Sequence, residues 1–146
     1  MRGFKIRAAR RRDRTPIRRL VWKVGINPFG LDWRNFLVAV DETGALLGCG
    51  QLKPHGPRSV ELASIAVTEA VRGRGIARTL IESLLEKAPR PLYLICLPKM
   101  KVFYEPFGFL ADPPGRLPSH FAAISRAARL IRLFHRSHSP VVMRLD

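Results

Sequence analysis

The chain has 146 residues, with 26 Lys and Arg against 11 Asp and Glu, a formal net charge of +15. At 47% hydrophobic it is too apolar for a disordered chain, and it holds no 18-residue apolar run that would cross a membrane. The length suits one domain, 1–146, with a core that needs no disulfide or metal staple. No apolar stretch follows the basic N-terminus, and strand-like sequence begins at Phe4, so neither a signal nor a transit peptide is expected. Cys49 and Cys96 sit in apolar segments without a C-x-x-C, as small buried hydrophobes of a reducing cytoplasm would. His55, His120, His135 and His138 show no ligand spacing, so no metal is expected. The charge is uneven: residues 1–19 hold nine basic side chains and one acid, and residues 116–136 hold five arginines and no acid. Such a surface favours anionic partners such as nucleic acid, anionic lipid or a polyphosphate cofactor.

In chain order, Phe4, Ile6 and Ala8 alternate with Lys5 and Arg7, which predicts a half-buried first strand. Thr15-Pro16 reads as an N-cap with proline at the first helical position. Ile17, Leu20, Val21 and Val24 then follow at helical spacing, up to Gly25. Residues 25–33 carry Gly, Pro and Asn and read as a loop. Asn35–Asp41 and Ala45–Lys53 are two strands joined at Glu42-Thr43-Gly44. Val60–Val67 is a third. From Ile76 to Ala88 the apolar residues recur every 3.6 positions, the clearest amphipathic helix in the chain. Pro89 and Pro91 end it. Leu92–Leu97 reads as a central buried strand, Lys99–Glu105 as a short helix, and Val141–Leu145 as a terminal strand. Between them, 119–136 is an amphipathic basic helix. Phe121, Ile124, Ala128 and Ile131 lie on one face, with Ala127 and Phe134 beside them, and Arg126, Arg129, Arg132 and Arg136 form a separate stripe. The class is α/β (α+β), a mixed and mostly antiparallel sheet flanked by helices, with 119–136 inserted before the last strand.

The chemistry concentrates at Val71-Arg72-Gly73-Arg74-Gly75-Ile76-Ala77, between the third strand and the 3.6-periodic helix. Two glycines allow a sharp turn and a close ligand approach. The helix that follows points free N–H groups at the loop, which suits a pyrophosphate. A Walker loop is absent. A Rossmann fingerprint would need a small residue where Arg78 stands. The remaining reading is R-x-x-G-x-A at Arg72, Gly75 and Ala77. With the preceding Ile65-Ala66-Val67 and the later Tyr104-Glu105-Pro106-Phe107-Gly108-Phe109, it resembles the GNAT superfamily of acetyl-CoA-dependent N-acetyltransferases. The resemblance covers residues 4–109 and, loosely, the last strand.

That resemblance implies a GNAT-like fold, acetyl-CoA as co-substrate, and direct attack of an amine on the thioester. Ile65, Ala66 and Val67 would offer backbone groups to the pantetheine. An N–H near Ala66 or Val67 would stabilise the oxyanion. Arg72, Gly73, Arg74, Gly75, Ile76 and Ala77 would cradle the pyrophosphate, with Arg78 and Thr79 reaching a phosphate. Tyr104 matches the tyrosine that protonates the departing thiolate, and Phe103 would pack beside the cofactor. Glu61 matches a general-base glutamate of histone-acetylating members. Its alternative is a solvent-facing strand residue paired with an arginine such as Arg58. The asparagine that many relatives carry before the tyrosine is replaced by Leu97, and Lys99 would substitute on a phosphate.

Acceptor specificity is expected from 25–35 and 110–139. Phe29, Asp32 and Trp33 can bind a cationic amine, by charge and cation–π contact, or can cap and pack the loop. The basic helix suits an acidic partner, RNA or a membrane surface, or lies over the sheet with a solvated arginine stripe. The expected function is an N-acetyltransferase, acting on a protein N-terminus, a lysine or a small amine. The alternative is a non-catalytic module of the same fold that binds nucleic acid or an acidic protein.

Overall fold

A computed structural model describes residues 3–111, 113–134 and 139–146. Among the described residues, seven strands hydrogen-bond in the order β1-β2-β3-β4-β5-β7-β6. They are β1 (Lys5–Ala8), β2 (Phe36–Val40), β3 (Leu46–Pro54), β4 (Val60–Val67), β5 (Leu92–Cys96), β6 (Leu110–Ala111) and β7 (Val141–Leu145). The helices are α1 (Arg14–Val24), α2 (Ile76–Lys87), the single turn α3 (Lys101–Tyr104) and α4 (Ser119–Arg132). The β1–β2, β2–β3, β5–β7 and β6–β7 pairs are antiparallel, and β4–β5 is parallel. This is the mixed, mostly antiparallel sheet that the sequence predicts. The two-residue β6 is an addition, too short to carry a periodic signal.

The contacts group into two compact units, residues 1–53 with 62–88, and residues 54–61 with 89–146. In the first unit, all five residues of β2 are buried, as a strand covered on both faces requires. Phe36, Val38 and Val40 share one face and pack with Ile17, Leu20 and Val21 of α1. On β3, Gly48 and Gly50 leave room for a close approach. A Cβ on Gly50 would meet Ile65 Cδ1 at 2.5 Å and Leu84 Cδ1 at 3.0 Å. The side chains of β4 and α2 therefore sit where β3 has none.

The entry to α1 differs from the sequence expectation. Thr15 lies inside the helix, and the chain is anchored earlier, at Asp13. The Asp13 carboxylate accepts the Arg10 N–H at 2.6 Å and both Arg7 guanidinium nitrogens, at 2.7 and 3.1 Å. A cap needs the chain to turn back on itself. Here the turn is a 3-10 segment, Arg11–Asp13, that the basic run does not advertise.

The second unit is built on β5, β7 and β6. Leu92–Cys96 pairs in full with Val141–Leu145. Tyr93, Phe121 and Val142 form a buried cluster, with Ile95, Leu117 and Ile124 against it. Phe121 and Ala128 of α4 are fully buried. The apolar stripe nonetheless fails at the helix's end. Ile131 is 37% exposed and Phe134 80%, beside exposed Leu130 and Leu133. Arg136, at the expected end of the helix, lies outside the described residues, as do His135 and His138.

Asp13 gives a stability prediction. Burial opposes its charge, but Arg7 and the Arg10 N–H more than offset that, and the carboxyl lies below its ordinary value of 3.8. Asp13→Asn is expected to remove about 2–4 kcal/mol at pH 7, because it strips a nearly buried guanidinium of its partner. A depressed carboxylate stabilises above its unfolded pKa and stops doing so as pH falls through its folded one. The difference between wild type and variant should therefore persist from pH 8 to 5 and close below about pH 4, as read by urea unfolding at each pH.

Candidate functional site

In the first unit, β4 passes through a 3-10 turn, Glu69–Val71, into the glycine loop and α2. Gly73 and Gly75 have φ of 82° and 79°, conformations that a side chain would resist. Gly75 is the N-cap of α2, and the first N–H to return to the helix is that of Thr79, which donates to the Gly75 carbonyl at 3.0 Å. The N–H groups of Ile76, Ala77 and Arg78 thus have no partner within the helix. Arg72, Gly73, Arg74 and Gly75 are exposed around them. Arg72 Nε donates to the Val67 carbonyl at 3.2 Å, tying the loop to the end of β4. Thr79 Oγ1 donates to the Gly75 carbonyl at 2.8 Å, and Arg78 pairs with Glu82 at 3.5 Å. Ala66 is buried, and Ile65 and Val67 are half-buried. A cavity of about 280 Å³ lies beside this strand end, lined by Leu20, Lys23, Val67, Thr68 and Arg72 among others. The larger concavity, about 610 Å³, lies between β1 and the β2–β3 turn and contains none of the candidate residues.

In the second unit, Glu61 is 9% exposed and stands opposite Tyr93 in the parallel register. Its partner is not Arg58, which is exposed. Glu61 Oε1 lies 2.7 Å from His55 Nε2 across the β3–β4 turn. The His55 ring stacks on His120 of α4, with centroids 3.8 Å apart, and meets Phe121 edge-on at 5.6 Å. The fold thus joins histidines that show no spacing in sequence. The donor atoms of His55, Glu61 and His120 all lie within 4.8 Å of one another. The available signal was the His55–Glu61 pair flanking Gly56-Pro57, a turn that returns one strand end beside the other.

Tyr104 ends α3, with its ring 5.0 Å from Phe103 and 6.2 Å from Phe109. Burial, and secondarily the nearby Cys96, push its phenol up to about 12. It is therefore protonated at neutral pH and available as a donor. Lys99 is exposed in a 3-10 turn, Pro98–Met100. Asp32 accepts the Arg34 N–H at 3.1 Å and pairs with its guanidinium at 3.2 Å. Trp33 packs against the α1 core, with Arg34 stacked 5.1 Å over its ring. Phe29 is 76% exposed. Arg126, Arg129 and Arg132 are all exposed on α4.

The GNAT acetyltransferase domain model matches residues 32–110, more than half of the chain. The chain belongs to the GNAT family. No protein of curated function matches it by sequence. Its fold is similar to that of a Mycobacterium tuberculosis protein solved in complex with CoA. The TM-score there is 0.72 at 22% identity, covering 97% of this chain and 98% of the other. It also resembles the N-acetylglutamate synthase of Neisseria gonorrhoeae, solved with coenzyme A and N-acetyl-glutamate. That match has a TM-score of 0.73 at 20% identity and covers all of this chain but only 36% of the synthase. An acyl-CoA N-acyltransferase from Pseudomonas aeruginosa matches with a TM-score of 0.67 at 19% identity, over 98% of both chains.

Neither cysteine is suited to act as a nucleophile. Burial pushes the Cys49 thiol up to about 12 and the Cys96 thiol to about 11, the latter against a small opposing effect of Lys101. Since the thiolate is the nucleophile, Cys96 should react roughly 10²–10³ times more slowly than a free thiol near 8.5. Ellman titration of the native protein at pH 8 should show two slow thiols that become fast together in denaturant. A fast native thiol would contradict the burial argument.

Proposed function

We propose that this GNAT protein transfers the acetyl group of acetyl-CoA to a primary amine by direct attack. The observation that carries the reading is the glycine loop at the head of α2, with three free N–H groups and a rim of Arg72 and Arg74. It is the chemistry that a pyrophosphate needs. In this reading Arg72 to Ala77 hold the pyrophosphate, Arg78, Thr79 and Lys99 serve the phosphates, and Ile65, Ala66 and Val67 hold the pantetheine. Phe103 packs on the cofactor. An N–H near Ala66 or Val67 stabilises the tetrahedral oxyanion.

Tyr104 faces the departing sulfur. Its phenol, near 12, is a weaker acid than a free thiol near ~8.5, so complete transfer to the thiolate is uphill by roughly 4–5 kcal/mol. Tyr104 therefore acts first as a hydrogen-bond donor to the charge that develops on sulfur, and the proton crosses as the adduct collapses. Proximity within the ternary complex supplies much of the remaining acceleration. Glu61 serves the opposite need, removal of the ammonium proton.

For the acceptor we propose an amine with anionic surroundings, a protein N-terminus or lysine in an acidic segment. The support is the exposed stripe of Arg126, Arg129 and Arg132 on α4. N-acetyl-glutamate, held by the Neisseria protein, shows the same charge pattern in a small molecule, so glutamate belongs in the same screen. Phe29 and Asp32 remain candidates for acceptor contacts, with Trp33 positioning their loop. The arginine stripe also supports the second reading, a non-catalytic module that binds nucleic acid or an acidic protein.

Saturating acetyl-CoA, at 100 times its dissociation constant, is expected to add ~2.7 kcal/mol of stability, a rise of several degrees in Tm. CoA should do likewise and NADPH should not. No shift with a folded protein, together with salt-steep RNA binding, would establish the second reading instead. Tyr104→Phe is expected to lower kcat by about 10²-fold while leaving the acetyl-CoA shift intact, because its hydrogen bond to sulfur forms in the transition state.

A further inference from the structure

Among the described residues, His55, Glu61 and His120 form the one group of three His, Cys, Asp or Glu side chains whose donor atoms lie within 4.8 Å of one another. Glu61 is largely removed from water and spends one carboxylate oxygen on His55 Nε2, at 2.7 Å. The side chains of His55 and Glu61 are 14% and 11% exposed. A carboxylate so placed holds the imidazole as the Nε2–H tautomer, because only a ring N–H can satisfy the contact. The other ring nitrogen, Nδ1, then carries the lone pair. It makes no hydrogen bond to the described residues, and it is not among the buried unpartnered atoms, so it keeps some contact with solvent. A carboxylate on one nitrogen and an open lone pair on the other is the arrangement by which a carboxylate orients an imidazole base.

Metal binding is the competing use of the same donors. The His55 and His120 rings are parallel to within 14°, with centroids 3.8 Å apart. Lone pairs lie in the ring planes, so these run side by side instead of converging on one point. The 2.7 Å approach of His55 to Glu61 is that of a shared proton.

We propose that His55 Nδ1 is the atom that accepts the ammonium proton, directly or through one water, and that Glu61 is its positioning residue. The proposal rests on the acetyl-transfer reading and replaces a lone glutamate base by a dyad. The acceptor ammonium gives one proton to neutral His55, which passes it to solvent after the product leaves. The free amine forms a C–N bond to the acetyl carbon, the C–S bond breaks, and the second amine proton ends on the CoA sulfur across the Tyr104 hydroxyl. The groups facing the imidazole are Glu61 from β4 and His120 and Phe121 from α4, with Tyr93 of β5 opposite Glu61. Once His55 takes a proton, Glu61 is the anion beside the new imidazolium.

The test uses the full chain with acetyl-CoA and two probe amines, L-glutamate and an acidic peptide with a free N-terminus, followed by CoA release. His55→Gln is expected to lower kcat at pH 7 by about 10²-fold with KM for acetyl-CoA unchanged. It should recover toward the wild-type rate at pH 9–10, where the amine is free without help. E61Q should lose about 10-fold and weaken the tautomer preference of the His55 imidazole. A His55→Gln loss that is equal at every pH, or an E61Q variant that keeps the wild-type rate, would overturn the proposal. So would inactivation by a chelator that zinc reverses. Long-range ¹⁵N spectra of the imidazoles need no acceptor. The Nε2–H tautomer at His55 is expected, and an Nδ1–H tautomer sinks the dyad even if neither probe is acetylated. Absence of an acetyl-CoA thermal shift defeats the acetyl-transfer reading separately, and with it the catalytic use of a dyad that the spectra can still detect.

Discussion

Strand β4 carries a non-glycine residue in a conformation that L-residues avoid, and two side chains of β3 hold it there. Ser64 has φ of 59° in the middle of the strand, at a cost of roughly 1–2 kcal/mol. Its hydroxyl accepts the Gln51 amide at 2.8 Å, and its carbonyl accepts the Cys49 thiol at 3.5 Å. Gln51 is fully buried and also donates to the Gly30 carbonyl at 3.1 Å. One amide thus fixes both the kink and the loop before β2. A left-handed residue breaks the strict alternation of faces along a strand. It separates the part of β4 that presents Glu61 from the part, Ile65–Val67, that leads to the glycine loop. One half presents a carboxylate paired with His55, and the other is tied to the glycine loop through Arg72. A regular strand would give them a common pleat and common neighbours.

The same strand explains what is legible in the sequence. Val60–Val67, Ile76–Ala88 and Val141–Leu145 are long, periodic or bounded by turn residues, and the structure places them within a residue of expectation. The glycine loop is legible because its requirement is local. A backbone that turns left-handed beside a helix N-terminus asks for glycine whatever surrounds it. The kink at Ser64 is not legible, since serine is no signal for φ of 59° and its support comes from Gln51, thirteen residues earlier. The partner of Glu61 is hidden in a similar way. Arg58 is the nearer cation in sequence, but the Gly56-Pro57 turn swings His55 back instead, and the His55 N–H closes the turn on the Ser59 carbonyl at 2.8 Å. His120 arrives from α4, which no local pattern could register against the β3–β4 turn.

The helix α4 shows where periodicity misleads. Its apolar stripe continues past Ile131, yet burial reaches only as far as Ala128, with Phe121 stacked 4.6 Å from Tyr93. Ser139 Oγ donates to the Ala128 carbonyl at 3.0 Å and ties down the middle of the helix. Beyond it, Leu130, Leu133 and Phe134 stand in water next to Arg129 and Arg132. The spacing of apolar residues says which of them share a face, and whether that face meets anything is decided by the rest of the fold.

The excess of positive charge bears on both halves of the proposed reaction. A chain of net charge +15 draws polyphosphate and carboxylate ligands toward it. The same potential disfavours a second cation, so an ammonium brought close is easier to deprotonate than it is in bulk water. Screening limits this help to about 8 Å at physiological salt, so the field of distant arginines cannot replace a local proton acceptor. An acceptor with its own negative charge resolves the conflict between attraction and discharge. The basic surface would hold its anionic part while its amine sheds a proton. That proton needs a destination that is neutral before the step and paired with an anion after it, and a histidine backed by a buried carboxylate meets both conditions where a lone carboxylate, charged before the step, meets neither.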